Sequence, residues 1–186
     1  MNKILFTLVA AAVFCFGACA QKNEPAKAKS SRALVVYFSA TGTTAEAARA
    51  IADATGGDCL EIVPEKAYTA ADLDWNDKQS RSTVEMEDAQ SRPAMKQLQI
   101  DWSRYDVVYL GYPIWWDQAP RIVNTFLESY DLKGKTVIPF ATSGGSGIGN
   151  SVRRLKESYP NIRWQDGKLL NGASAADVRE WVDGQD

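Results

Sequence analysis

The chain has 186 residues, 45 % of them hydrophobic and 24 % charged, with a formal net charge of −2. That balance suits one packed domain and offers no basic face for nucleic acid. There is no histidine, which removes imidazole acid–base chemistry, Ser–His triads and the commonest metal ligand.

In chain order, Lys3 precedes an apolar run from Ile4 to Phe16, interrupted only by Thr7. A membrane-spanning helix needs ~20 residues, so this run has the length of a signal-peptide core instead. Phe16-Gly17-Ala18-Cys19 then resembles a bacterial lipoprotein signal, in which cleavage precedes the cysteine and its sulfur is lipidated. Residues 1–18 are therefore expected to be a signal peptide, Cys19 the lipid attachment point, and 19–32 a polar, lysine-rich tether. An ordinary signal cut near Ala18 or Ala20, releasing a soluble periplasmic protein, is the alternative. In the first case the protein is exported and held to a membrane by its lipid anchor only, facing the periplasm or the cell exterior. Cys15, Cys19 and Cys59 show no metal-site spacing, and no metal is expected.

From residue 33 to 186 apolar runs alternate with amphipathic stretches. Ala33–Phe38 reads as a buried parallel strand, and Thr43–Ala54 as a helix with Ala48, Ile51 and Ala52 on one side. Cys59–Val63 is the second strand, closed by Pro64. Glu65–Trp102 is polar and lacks a clear strand, with one helix expected around Thr83–Gln90. Val107–Leu110 is the third strand. Pro120–Tyr130 is a helix with proline in its first turn and Ile122, Val123, Phe126 and Leu127 on one face. Thr136–Ala141 is the fourth strand and Ile148–Tyr159 the next helix. Ile162–Trp164 starts a fifth strand, which Lys168–Leu170 continues after the Asp166-Gly167 turn. Ser174–Val182 closes the chain as a helix capped by Ser174. Strands alternating with helices imply a parallel, doubly wound α/β sheet.

In such sheets a ligand sits beyond the carboxyl ends of the strands, where the strand order switches. The loop after the first strand, Ser39-Ala40-Thr41-Gly42-Thr43-Thr44, carries four hydroxyls and a glycine at a helix N-terminus. Free amides and the helix dipole suit a phosphate there. The loop has no lysine, so it is not a GxxxxGK[ST] nucleotide loop, and it lacks the cysteine and arginine of a phosphatase loop. A plain helix cap at Thr41 or Thr43 is the bland alternative. After the third strand comes Gly111-Tyr112-Pro113-Ile114-Trp115-Trp116-Asp117. Two adjacent tryptophans cannot both enter one core from a short turn, so at least one lines a cleft, where a flat ring would stack, or covers a contact surface. After the fourth strand, Thr142-Ser143-Gly144-Gly145-Ser146-Gly147-Ile148-Gly149-Asn150-Ser151 allows close backbone approach. It falls short of a GxGxxG dinucleotide motif, because Asn150 occupies the position of the third glycine. A response-regulator receiver would need aspartates near the ends of strands one and three, and Phe38-Ser39 and Leu110-Gly111 supply none.

Together the GYPIWW and TSGGSGIGNS signatures resemble the flavodoxin family, in its bacterial FMN-binding branch, over about Arg32–Asp183. The resemblance implies a five-stranded parallel sheet of order 2-1-3-4-5 with helices on both faces, and FMN as cofactor. It implies that Ser39, Thr41, Gly42, Thr43 and Thr44 hold the FMN phosphate, and that Pro113, Ile114, Trp115 and Trp116 flank the ring. Ser143, Gly144, Gly145 and Ser146 would lie near the ribityl chain and pyrimidine edge. No side chain need be the catalyst, since a flavin carries its own redox chemistry. The expected function is electron transfer, or flavin-dependent reduction of a small acceptor in the manner of an NAD(P)H-type reductase. The sequence names neither redox donor nor acceptor, nor the oligomeric state. An exported binding or interaction module on the same fold, without redox turnover, is the alternative.

Overall fold

The buried apolar runs become strands and the amphipathic stretches become helices, in the expected order. The computed structural model describes residues 32–185. The expected signal peptide, Cys19 and all of the tether but Arg32 lie outside the described residues. The elements are β1 (Ala33–Tyr37), α1 (Thr43–Thr55), β2 (Asp58–Glu61), α2 (Arg81–Glu87), β3 (Val107–Pro113), α3 (Arg121–Ser129), β4 (Thr136–Thr142), α4 (Gly149–Ser158), β5 (Arg163–Trp164), β6 (Lys168–Leu169) and α5 (Ala175–Asp183). All strand pairings are parallel, in the order β2-β1-β3-β4-β5, with β6 also on β4.

Side-chain alternation sends successive strand residues to opposite faces. Leu34, Val36, Val108, Leu110 and Val137 pack with Ile122, Val123 and Phe126 of α3 and Leu155 of α4. Val35, Tyr37, Tyr109, Ile138 and Phe140 pack with Ala48 and Ile51 of α1 and Val178 and Val182 of α5. Both faces are thus covered, which is why the three central strands, β1, β3 and β4, are buried along their length rather than alternating, while the edge strands β2, β5 and β6 carry charged residues.

Most boundaries fall within two residues of expectation, and three elements depart from it further. β3 runs on to Pro113, because β4 is long enough to pair Gly111 with Phe140, Tyr112 with Ala141 and Pro113 with Thr142. The first part of the expected second loop is therefore strand. The helix expected at Thr83–Gln90 is Arg81–Glu87 instead: the Ser80 hydroxyl accepts from the Thr83 amide and sets an earlier start. The fifth strand is split. Arg163–Trp164 pairs with Thr136–Val137 and Lys168–Leu169 with Phe140–Ala141. Val137 and Ala141 offer their carbonyls to Gln165 and Leu170, so Pro139 between them faces the same side. It has no N–H to give, and the ladder breaks opposite it. At the far end, Ser174 and Asp177 form a reciprocal capping box that starts α5.

Gly111 lies under the Phe140 ring with no room for a side chain. A Cβ built there would lie 2.1 Å from Cζ of Phe140 on the neighbouring strand. G111A should therefore force the buried Phe140 ring to shift and cost about 1–3 kcal/mol. Chemical denaturation of the variant checks this, and a midpoint equal to the parent's would contradict it.

Candidate functional site

At the carboxyl ends of β1, β3 and β4 the chain leaves in three loops around a cavity of about 830 Å³. The first loop turns sharply into α1. Gly42 has φ 93°, a left-handed conformation that only glycine adopts freely. The Ser39 hydroxyl accepts from the Gly42 and Ala45 amides at 3.1 and 3.3 Å, so the hydroxyl that meets the first turn is that of Ser39, with Gly42 at the N-cap position, rather than that of Thr41 or Thr43. The first amides of a helix lack intrahelical partners. With Ala45 taken, the Thr43 and Thr44 amides stay open at the positive end of the α1 dipole. The Ser39 hydroxyl keeps its proton to donate, and Thr41 and Thr43 are exposed on the cavity wall. Thr44 differs from the others. Its side chain is buried, and its hydroxyl lies 2.8 Å from that of Thr142. What it can offer an anion is therefore its backbone amide, while its side chain ties the first loop to β4.

Pro113, Ile114, Trp115 and Trp116 form the next wall. Ile114 is largely core, and its amide donates to the Thr142 carbonyl at 2.8 Å. Trp115 packs edge-on against Phe38 and Tyr68, with ring centroids 5.6 and 5.3 Å apart. Tyr68 is itself held from behind. Its hydroxyl donates to Glu85 at 2.5 Å, and the Arg81 guanidinium lies 4.0 Å over its ring. Burial first, and that hydrogen bond second, push the Tyr68 hydroxyl well above the ordinary tyrosine range. It stays protonated and a donor. Trp115 is therefore a fixed wall, whereas Trp116 is 40 % exposed at the mouth. The two tryptophans separate into one packed and one open ring.

Ser143, Gly144, Gly145 and Ser146 supply the third wall. Asn171, just beyond β6, holds this loop at both ends of one residue: its Oδ1 accepts from the Ser143 amide at 2.8 Å, and its Nδ2 donates to the Ser143 carbonyl at 2.5 Å. The Ser143 hydroxyl in turn accepts from the Gly145 amide at 3.1 Å. Below the loop, burial pushes the Tyr112 hydroxyl up to about 12, and it lies 3.1 Å from the Ser151 hydroxyl.

The cavity thus gathers Thr41, Thr43, the run Pro113–Trp116 at the end of β3 and the four residues after Thr142, while Ser39, Gly42 and Thr44 shape it from behind. Ala40 and Thr142 of the first and third loops also line it, and four further lining residues come from outside the three loops. Leu73, Trp75 and Ser82 come from the irregular 65–102 stretch, and Asn171 from the end of the split strand. Asn171 carried a signal, an Asn-Gly pair at the carboxyl end of a strand, where ligands gather. Among the described residues, no ionisable side chain lines the cavity.

A doubly wound α/β domain with an anion cradle and an aromatic wall at the switch point of its strand order is the class defined so far. The chain belongs to the flavodoxin family, whose model matches residues 32–185. A provisionally named flavoprotein from Bacteroides eggerthii is 58 % identical, over 83 % of this chain and 97 % of that one, with a TM-score of 0.80. A counterpart from Bacteroides uniformis is 57 % identical, over 83 % and 99 %, also with a TM-score of 0.80. A flavoprotein from Lactobacillus acidophilus in complex with FMN shares the fold at 22 % identity, over 81 % and 98 %, with a TM-score of 0.63. No curated protein matches the chain.

The Thr44–Thr142 bond fixes how the first and third loops meet. T142V should leave the buried Thr44 hydroxyl without its partner and cost about 1–3 kcal/mol, whereas T44V/T142V removes both polar groups and should lie closer to the parent. Urea titration of the two variants decides this, and a double variant weaker than the single would contradict it.

Proposed function

We propose that this protein is an FMN-binding flavoprotein that transfers electrons, or reduces a small acceptor, at the cavity beyond β1, β3 and β4. One observation carries the reading: the open Thr43 and Thr44 amides at the start of α1 stand at one end of a cavity whose other walls are an aromatic ring pair and a glycine-rich backbone loop. The residues fit the ligand's parts. A phosphate matches uncharged amide and hydroxyl donors at a helix N-terminus. A flat tricyclic ring matches the Trp115–Trp116 wall. A hydroxylated chain and a ring edge rich in hydrogen-bonding groups match the polar loop of Ser143 and Ser146. Family membership and the fold shared with an FMN-complexed flavoprotein support the same ligand.

Bound FMN would supply the electron acceptor and donor, and the chain's own residues would bind, orient and shield it. Ser39 sets the loop, Thr41 and Thr43 add hydroxyl donors, Trp115 closes one side and Trp116 leaves the mouth open. A purified dehydrogenase-type turnover with NAD(P)H and a quinone would distinguish a reductase from a carrier that needs a separate partner.

Titration of the purified protein with FMN, and separately with riboflavin, tests the reading. FMN should bind saturably with a shift of its visible bands. Riboflavin, which lacks the phosphate, should bind about 100-fold more weakly, as expected if two amide hydrogen bonds to a charged group contribute about 3 kcal/mol. A folded protein that binds neither would overturn the proposal and favour the binding-module alternative. Equal affinity for both would remove the phosphate cradle from the account.

A further inference from the structure

Among the described residues, only Trp116 and Asp117 combine a side chain with a positive φ, 46° and 60°. They occupy the two central positions of a hairpin turn. The Trp115 amide donates to the Gln118 carbonyl at 3.0 Å, and the Gln118 amide returns to the Trp115 carbonyl at 2.9 Å. Two successive left-handed residues in such a turn are ordinarily asparagine or glycine, because a Cβ crowds the adjoining carbonyl. Tryptophan is among the least suited residues to this position. A turn of this kind persists only where its surroundings hold it.

The hold is visible in the first turn of α4. Asn150 Nδ2 donates to the Asp117 carbonyl at 3.1 Å and to its carboxylate Oδ2 at 2.7 Å. The direction of the amide follows from chemistry. Arg153 Nη2 donates to Asn150 Oδ1 at 2.5 Å, and a guanidinium has no acceptor, so Oδ1 must face Arg153 and Nδ2 must face Asp117. Arg153 is held in turn by both carboxylate oxygens of Glu157, at 2.7 and 2.8 Å. A chain of donors and acceptors therefore runs from the outer face of α4 to the turn that carries Trp116. Asn150 is also the residue that departs from the dinucleotide glycine pattern, and it does not itself line the cavity.

We propose that Asn150 is a positioning residue for the ring site: it holds Trp116 and Asp117 in their left-handed conformation, so that the Trp116 indole stays at the mouth of the cavity. The ligand part of this rests on the FMN reading. The clamp itself does not, and the two are separable by experiment.

Three proteins are compared: the parent, N150A and N150A/D117G. The first readout is amide exchange at Gln118, whose N–H closes the turn, in ligand-free protein. The second is FMN affinity. In N150A the Gln118 amide should exchange at least about tenfold faster, and FMN affinity should fall about tenfold, or 1.4 kcal/mol. Glycine at 117 adopts the left-handed conformation freely, so N150A/D117G should recover most of the lost affinity. A side chain that only stabilised α4 would give no such recovery. Unchanged exchange in N150A would overturn the clamp. Faster exchange with unchanged affinity, or lost affinity that D117G does not restore, would overturn the positioning role. A parent protein that bound no FMN would overturn the ligand part of the proposal together with the functional reading, while exchange alone would still decide the clamp.

Discussion

The parallel pairing of β1 with β3 is the contact on which the rest of the structure depends. Ala33 through Tyr37 register with Val107 through Gly111, and β2 lies on the other side of β1. The chain must therefore leave β1 toward one edge of the sheet and β3 toward the other. Their following helices pack on opposite faces, α1 with α5 and α3 with α4. The loops diverge and a crevice opens between them, with the N-terminus of α1 pointing into it. The site is a consequence of strand order before any side chain is considered.

Side chains then decide what the crevice holds. Hydroxyls and amides stitch the loops together, buried from Thr44 to Thr142 and Ile114 to Thr142, and at the surface from Asn171 to Ser143. Each bond spans two loops that are distant in sequence, so the cavity walls are set as one unit rather than as separate turns. The aromatic wall is built the same way. Trp115 is locked by Phe38 from the first loop and Tyr68 from the irregular stretch, and Tyr68 is locked by Glu85 and Arg81. A rigid apolar wall beside an uncharged polar cradle suits a ligand with one anionic end and one flat end, held before it arrives.

Much of this was readable from residue order. The central strands β1, β3 and β4 are buried apolar runs, and such runs between amphipathic stretches leave few topologies open. The first and third loops could be picked out because hydroxyls and glycines directly follow buried strands. The irregular stretch was not readable. Its packing relies on single long-range contacts, such as the amide of Glu65 donating to the Ala94 carbonyl and that of Lys96 to the Val63 carbonyl, and no periodicity encodes these. Trp75, 73 % exposed near the cavity mouth, therefore gave no sign of its place. The split of the fifth strand was half readable: the Asp166-Gly167 turn is local, but its cause, Pro139, lies on the neighbouring strand. Thr44 shows the opposite failure. Residue type pointed to a ligand contact for its hydroxyl, and burial against Thr142 gave that hydroxyl another partner.

The central claim is that three loops form one site for one ligand. A crystal structure of the protein grown with FMN tests it most directly. The account predicts density for the phosphate over the Thr43 and Thr44 amides, the ring against the Trp115–Trp116 wall, and the intervening chain along Ser143 to Ser146. Density at another place, or a ring bound with its phosphate away from the start of α1, would contradict it.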